Sequence, residues 1–375
     1  MKPLRISSNF YQLLPADLKN QLEVFYLADA HFWEGCRTIT FPRYGQSRIW
    51  DFYYDTDYLL CPNLLQNNAG SFADASDEQA NNLKETMQQQ NQPLAVFWSG
   101  GIDSTVAVSA IIKNFNSAEL ENVTVFANNQ SYYENPIFFH HVIKQYGLKT
   151  VNFKNLSNMA IQSIFDQYLV TDGEPADKLW IATMAIQFES TNGQGALDKP
   201  YQQSADKFIK FLTGYMSLTQ AQVYYEYLMQ SIDNAGVEIA TMGDLFWWIN
   251  FNFHWIEHLL LWYAQFPVKS SSTYAQYKKN YRPWYNTVAY QMWSLMDRPK
   301  SLIPDQHHLY KMTAKQYIHD LINDPFYLNY KSKVGSSKPL EKMPSDMVIL
   351  ADGSVFDHNG PNALDKFISQ YCLVL

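Results

Sequence analysis

The most constraining feature of the sequence is an alternation of short apolar runs and helical patterns between residues 94 and 171. Helical patterns cover residues 104–115, 135–146 and 161–168. The apolar runs between and around them have the length of buried strands, and they cover residues 94–98, 123–127, 151–153 and 169–171. Strands that alternate with helices predict an α/β fold, in which a parallel sheet carries helices on both faces.

Three regions are predicted along the chain. Residues 1–90 form a small α+β accessory region that ends in a polar, Gln/Asn-rich segment at about 66–93, whose composition is typical of a linker or of a solvated helix. Residues 91–345 form the main domain, whose pattern becomes helical and rich in aromatic residues from about residue 205. Residues 346–375 form a tail with a hairpin about Asp352 and Gly353.

Charge and hydropathy narrow the classes of partner. The net charge is −8, which disfavours nucleic acid because non-specific binding to it needs a basic face. The stretch at 245–266 is the most membrane-like, but Asn250, Asn252, Glu257 and two histidines interrupt it, so it predicts a buried helix. The first residues lack the apolar region of a secretory signal. We therefore expect a cytoplasmic protein that binds neither nucleic acid nor membrane.

A dense polar loop, SGGIDST at residues 99–105, joins the first predicted strand to the first helix. Ligands of parallel sheets lie at the carboxyl ends of the strands, which is where this loop falls. Its glycines let the backbone approach a ligand, and the amide groups at a helix start favour an anion. The loop fits neither the GxxxxGK[ST] nor the GxGxxG pattern, so it predicts a phosphate site of another kind.

This loop resembles the SGGxDS motif of the ATP pyrophosphatase, or PP-loop, superfamily. Members include asparagine synthetase, β-lactam synthetase, GMP and NAD synthetases and several tRNA-modifying enzymes. The resemblance implies an adenine nucleotide alpha hydrolase-like fold and an ATP that is cleaved to AMP and pyrophosphate. It also implies that Asp103 ligates Mg²⁺, which prefers oxygen ligands. The residues implied to hold the β- and γ-phosphates are Ser99, Gly100, Gly101, Ser104 and Thr105.

A second loop, LVTDGEPADKLW at residues 169–180, resembles the SGExxDExFGGY loop of asparagine synthetase in Gly173, Glu174 and Asp177. The resemblance implies that Asp177 is the second Mg²⁺ ligand. It implies that Glu174 orients the attacking amine or acts as its base. The sequence departs from the family pattern at Lys178, where the family has a second acid, and at residues 180–183, which replace FGGY.

Two later stretches extend the resemblance. YRPWYN at residues 281–286 is similar to the RxPFLD segment of the family, and FYLNYKSKVGS at residues 326–336 is similar to its lysine-bearing C-terminal segment. The resemblance implies that Lys333, or alternatively Lys331, contacts the α-phosphate and stabilises charge that develops during adenylation. The other interpretation of both lysines is a solvated basic loop.

The N-terminal region lacks the features of a glutaminase. Lys2 follows Met1 where glutamine-dependent asparagine synthetase has its nucleophilic cysteine, and 90 residues are too few for that domain. The predicted function is therefore an ATP-dependent carbon–nitrogen ligase, which adenylates a small carboxylate and passes it to an amine or to ammonia. The ammonia would be free or supplied by a separate partner protein.

Three alternatives stay open. The chain could be a nucleotide-binding or interaction protein that has lost turnover, as the altered second loop would allow. It could adenylate tRNA or a base, although the acidic balance and the lack of a cysteine pair disfavour this. His254, Glu257 and His258 spell HxxEH, which on a helix could form the zinc site of a peptidase.

Overall fold

A computed structural model describes residues 3–6, 70–153, 158–181, 184–233, 237–253, 255, 279–297, 311–323, 327–328, 331, 348–350 and 355–356. The chain divides into two compact units, each of which is assembled from segments that are separate in sequence. The first, here called the sheet unit, comprises Asn63–Trp180 and Gln276–Leu340. The second, here called the helical unit, comprises Met1–Pro62, Ile181–Ala275 and Glu341–Leu375.

Strands and helices are numbered in chain order over the described residues. The strands are β1 (Pro3–Ile6), β2 (Leu94–Phe97), β3 (Val123–Ala127), β4 (Lys149–Asn152), β5 (Leu169–Thr171), β6 (Val348–Leu350) and β7 (Val355–Phe356). The helices are α1 (Phe72–Gln90), α2 (Ile102–Asn114), α3 (Ser117–Leu120), α4 (Asn129–Glu134), α5 (Pro136–Phe138), α6 (Asn158–Gln167), α7 (Met184–Asn192), α8 (Ala205–Leu212), α9 (Leu218–Asp233), α10 (Met242–Phe253), α11 (Val288–Asp297) and α12 (Met312–Ile322). A π-helical turn, Phe139–Ile143, follows α5.

The sheet unit is built on a four-stranded parallel sheet in the order β4-β3-β2-β5. Every residue of β2, β3 and β5 is buried, as expected of strands that are continuous apolar runs in a parallel sheet. The α/β class predicted from the alternation of strands and helices is therefore confirmed.

The strand order creates a switch point between β2 and β5. The chain passes from β2 to β3 and on to β4 in one direction, and then returns across the sheet to place β5 on the other side of β2. Right-handed crossovers that run in opposite directions leave a crevice at the carboxyl ends of the two strands where they part. The loops after β2 and β5 are the two that carry the sequence motifs.

The polar segment that was predicted to be a linker or a solvated helix forms α1, and one face of this helix is buried. Ser71 caps this helix in a reciprocal pair with Asp74, and the helix packs on α2. Its buried face includes Phe72, Ala75 and Leu83, which recur at helical spacing among the glutamines and asparagines. The composition of the segment describes only the exposed face, and this explains the difference from the prediction.

The start of α12 is held in place by α1 and α2. Tyr317 donates its hydroxyl proton to Asp77 Oδ1 on α1 at 2.6 Å, and Lys113 of α2 lies 5.2 Å from the centre of the Tyr317 ring. Asp77 also accepts a hydrogen bond from Lys113 at 2.7 Å. These contacts fix the position of Lys311, which precedes the helix.

The helical unit contains α7 to α10 and a three-stranded sheet in the order β1-β6-β7. Its helices meet in an aromatic cluster, in which the Phe246 ring lies 5.3 Å from Phe188 and 5.5 Å from Phe208. Trp247 and Trp248 are fully buried, so the aromatic richness of this region serves its core. Among the residues described, no helix has the length and apolar character needed to cross a membrane.

Candidate functional site

The glycine loop after β2 is folded tightly against α4. Gly100 has φ of +78°, and a Cβ at this position would lie 2.4 Å from the carbonyl oxygen of Ser131. Both the left-handed backbone and the close approach require glycine. Gly101 then caps the start of α2, so the first amides of this 13-residue helix open onto the loop.

The hydroxyl groups of the loop are bonded to one another and to the backbone. Ser104 Oγ accepts from the Ser99 amide at 3.0 Å and lies 3.0 Å from Ser99 Oγ. Thr105 Oγ1 donates to the Gly101 carbonyl at 2.7 Å and accepts from the Trp98 indole at 3.0 Å. Ser99 and Ser104 therefore lie at the loop, whereas the Thr105 hydroxyl is used to hold the loop in shape.

The loop after β5 touches the loop after β2. A Cβ on Gly173 would lie 2.8 Å from the Ser104 nitrogen and 3.1 Å from the Asp103 Cβ. Asp172 shapes this second loop, since its carboxylate accepts from the Glu174 amide at 3.0 Å and from the Tyr281 hydroxyl at 2.8 Å. The structure thus brings the two sequence motifs into direct contact.

Asp103 and Asp177 meet at one ammonium group. Lys311 Nζ lies 2.6 Å from both carboxylate oxygens of Asp103, and it also donates to Asp177 Oδ1. The lysine side chain is 2% exposed, while the side chains of Asp103 and Asp177 are 25% and 31% exposed. The ring of Trp180 adds a cation–π contact at 5.0 Å from Nζ to its centre.

Burial raises the pKa of Asp103 to about 6. The positive charge of Lys311 acts in the opposite direction, and the negative charges of Asp177 and Glu174 raise the pKa further. Tyr285 donates to the Asp103 carbonyl at 3.1 Å. Burial also raises the pKa of Tyr285 well above its ordinary value, so this residue acts as a neutral donor.

The YRPWYN segment runs beside β5 and supports the second loop. The Arg282 amide donates to the Val170 carbonyl at 2.7 Å, and the Tyr285 amide donates to the Glu174 carbonyl at 3.1 Å. A parallel bridge between Val170 and Tyr281 begins this contact. The segment therefore holds Glu174 beside the acidic pair through its backbone.

Lys333, or alternatively Lys331, was predicted to contact the α-phosphate. Lys331 donates to the Glu134 carbonyl at 2.7 Å and to Glu134 Oε1 at 2.9 Å, on the side of the loop where α4 approaches Gly100. Burial lowers the pKa of Lys331. Lys333 lies outside the described residues, as do His254, Glu257 and His258.

Two lysines that were not predicted from the sequence, Lys311 and Lys315, complete the surroundings of the acidic pair. Lys311 lies directly before α12 with a left-handed backbone (φ +55°), and Lys315 follows in the first turn of the helix, where its amide donates to the Lys311 carbonyl at 2.9 Å. Lys315 is fully buried, and burial followed by the charge of Lys331 lowers its pKa to about 8. No local sequence pattern marks Lys311 as part of the site, because its partners Asp103 and Asp177 are 208 and 134 residues away.

The carboxylates of Asp103 and Asp177 can hold a divalent cation only if a bound ligand supplies further oxygen atoms to its coordination shell. No group of three or more His, Cys, Asp or Glu side chains suited to a metal occurs within the described part of the chain. Two carboxylates close enough to share one ammonium fit Mg²⁺, which proteins bind through one or two carboxylates together with substrate phosphates. Comparison of the chain with protein-family models, with curated proteins and with solved structures found no match.

Proposed function

We propose that the chain is an ATP-dependent ligase that forms an amide or a lactam, similar to asparagine and β-lactam synthetases. The observation that carries the proposal is the contact between the two motif loops, which places Asp103 and Asp177 around one cation at the sheet's switch point. The order β4-β3-β2-β5 also supports an adenine nucleotide alpha hydrolase-like fold. We expect the enzyme to act in the cytoplasm.

Backbone amides and buried lysines favour a polyphosphate at the glycine loop. The first amides of α2 point toward the loop, and an anion there gains from the helix dipole as well as from direct hydrogen bonds. Lys311 and Lys315 add positive charge, and both lysines are almost completely removed from water. Charge in such surroundings acts strongly, because water screens it little. We assign the β- and γ-phosphates of ATP to this loop.

Asp103 and Asp177 are the residues that would hold Mg²⁺ once phosphate oxygens complete its shell. The metal would neutralise the pyrophosphate as it departs. Every other contribution comes from the chain itself. Tyr285 fixes the backbone of Asp103, and Asp172 fixes the backbone of Glu174. The backbones of Asp103 and Glu174 are therefore held in position before ligands bind.

The proposed reaction has two steps. A substrate carboxylate oxygen attacks the α-phosphorus, the bond from that phosphorus to the bridging oxygen breaks, and pyrophosphate leaves. An amine then attacks the acyl carbon of the acyl-adenylate, AMP leaves with the electrons of the broken carbon–oxygen bond, and the amine loses a proton. Glu174, held beside the acidic pair, is our candidate for orienting the amine or accepting that proton.

The charge that develops on the α-phosphate needs a cation. Lys333 remains our candidate by resemblance to the family. The Lys331 ammonium already has two acceptors on Glu134, so the contacts of Lys331 favour a supporting role behind the glycine loop.

The test is product formation with Mg-ATP and a panel of small carboxylic acids, each supplied with ammonia or an amine. We expect AMP and pyrophosphate in equal amounts, and an exchange of labelled pyrophosphate into ATP when the acid is present without the amine. Asp103→Asn serves as the inactive control and should lose about a thousandfold in rate if the carboxylate supports the reacting phosphates. Production of ADP in place of AMP would refute the proposal.

A second candidate is a nucleotide-binding protein without turnover. It is favoured by Lys178, a fully buried cation that stands where the family has an acid. Tight binding of ATP with no AMP formed across a broad acid panel would support this candidate over the ligase.

A further inference from the structure

Lys311 stands at the position that the proposed function gives to a metal. Its ammonium group contacts Asp103 through both oxygens and Asp177 through one. The side chain is 2% exposed, so this is an ion pair within the protein and not a surface contact. The chain itself therefore provides a positive charge that neutralises these two carboxylates.

We propose that Lys311 makes metal binding at this site depend on the phosphate ligand. A divalent cation and the ammonium cannot occupy the same place between Asp103 and Asp177, so the metal binds by displacing Lys311. This inference rests on the proposed function, which supplies the polyphosphate. It adds a residue that determines the order in which metal and nucleotide bind.

The displaced ammonium needs a new anion. A buried charge that loses its partner is strongly unfavourable, and the lysine has little access to water. Asp103 lies on α2 directly after the Ser99–Gly101 loop, so a phosphate bound there would be the nearest replacement anion. Metal alone would take both carboxylates from Lys311, whereas metal together with phosphate would supply the ammonium with a new anion. The two ligands should therefore bind with strong positive coupling.

Mn²⁺ binding, followed by electron paramagnetic resonance without ATP, tests the inference directly. We expect Mn²⁺ alone to bind the wild-type protein weakly, and inorganic pyrophosphate to tighten that binding by about a hundredfold, which is within the usual range of coupling between sites. In Lys311→Met the two carboxylates have lost their resident cation. We expect this variant to bind Mn²⁺ alone at least about tenfold more tightly than the wild type, because no displacement is needed.

Lys149→Met is the control, since Lys149 is an exposed lysine at the amino end of β4, whereas both motif loops follow the carboxyl ends of their strands. We expect this variant to bind Mn²⁺ alone as weakly as the wild type does. Equal affinity of the wild type and Lys311→Met for Mn²⁺ alone would overturn the inference. A gain in Lys149→Met as large as that in Lys311→Met would also overturn it, because the effect would then be general electrostatics.

A thermal measurement keeps the inference testable if Lys311→Met is poorly folded. Mn²⁺ should raise the melting temperature of Lys311→Met and leave that of the wild type nearly unchanged. If the variant cannot be produced, the wild type and Asp177→Asn suffice. Pyrophosphate should tighten Mn²⁺ binding to the wild type and have little effect in Asp177→Asn, and equal Mn²⁺ affinity of the wild type with and without pyrophosphate would overturn the inference.

Failure of this inference is distinguishable from failure of the ligase proposal. If the protein binds Mn²⁺ tightly without pyrophosphate and still forms AMP, the displacement of Lys311 is overturned and the ligase proposal stands. A protein that couples Mn²⁺ to pyrophosphate but forms no AMP with any acid would overturn the ligase activity alone.

Discussion

A methyl group on Gly173 would lie 2.8 Å from the backbone nitrogen of Ser104. Such an approach is closer than side-chain carbons tolerate, and the atom it meets is backbone that cannot rotate away. The two motif loops can touch because residue 173 has no side chain. The absence of a side chain at Gly173 therefore lets the loop that carries Asp177 lie against the backbone of Asp103 and Ser104.

We predict that Gly173→Ala separates the two loops and lowers the rate of AMP formation by about a hundredfold or more, since small misplacements of catalytic groups have effects of this size. The fold should survive, because the change falls on a loop. Steady-state kinetics and circular dichroism measure the two effects. Gly243→Ala is the control, because the nearest atom to a Cβ there is at an ordinary 3.4 Å. An active Gly173→Ala variant would show that the loop contact is dispensable.

Lys315→Met should stabilise the protein at neutral pH. The pKa of Lys315 is lowered to about 8, chiefly by burial, whereas the unfolded chain keeps an ordinary value near 10.5. Below about pH 8 the folded state carries the buried charge of Lys315, which lowers the free energy of unfolding. This destabilisation disappears as the pH rises from about 8 to 10.5. The melting temperature of the variant should therefore exceed that of the wild type at neutral pH, and the difference should shrink toward pH 9.5 or so.

The same substitution should weaken binding of pyrophosphate, measured by calorimetry, because a cation near the loop is lost. A variant that is less stable than the wild type at neutral pH would contradict the assignment of Lys315 as a buried charge retained for ligand binding. Lys113→Met, at a half-exposed position on α2, provides the surface comparison.

Tyr281→Phe should destabilise the sheet unit by about 2 kcal/mol, the usual cost when a buried charged group loses a hydrogen-bond donor. The Tyr281 hydroxyl donates to Asp172 at 2.8 Å, and both residues are buried. Unfolding in urea gives the free energy. Tyr146→Phe is the control because that side chain is 46% exposed, and equal effects of the two substitutions would show that the Asp172 contact carries no weight.

Lys331→Met should lower the free energy of unfolding by about 3–5 kcal/mol, since it removes the ammonium group from a buried ion pair with the Glu134 carboxylate. The Glu134 side chain is 1% exposed, and Lys331 lies 2.9 Å from it. Replacing both residues, with Glu134→Gln added, should recover most of the stability. A Lys331→Met protein of wild-type stability that has lost only its rate of AMP formation would instead assign Lys331 the catalytic role implied by the family resemblance.

The strands and the first motif loop were accessible to sequence reasoning because their signals are local. Buried parallel strands are continuous apolar runs, and the 123–127 and 169–171 runs have the same bounds in the structure. The SGGIDS loop contains its whole pattern in six neighbouring residues. The packing of α1 was not predicted, because exposed glutamines dominate the composition of the segment, while the spacing of Phe72, Ala75 and Leu83 determines which face is buried.

Lys311 was not accessible in this way. Its partners Asp103 and Asp177 are 208 and 134 residues away in sequence, and no local pattern relates them. The same holds for the pairing of Lys331 with Glu134, which are 197 residues apart. Contacts of this kind follow from the order of strands and from how α12 is anchored on α1 and α2, so they become visible only when the tertiary structure is known.

The position of Lys311 late in the chain has a consequence for biosynthesis. Proteins emerge from the ribosome N-terminus first, so both acidic loops are made well before the lysine that neutralises them. Until residue 311 is available, Asp103 and Asp177 face one another without this counter-charge, and like charges in close contact oppose the joining of their loops. The crevice should therefore stay open in the nascent chain and close as a late event, when α12 docks.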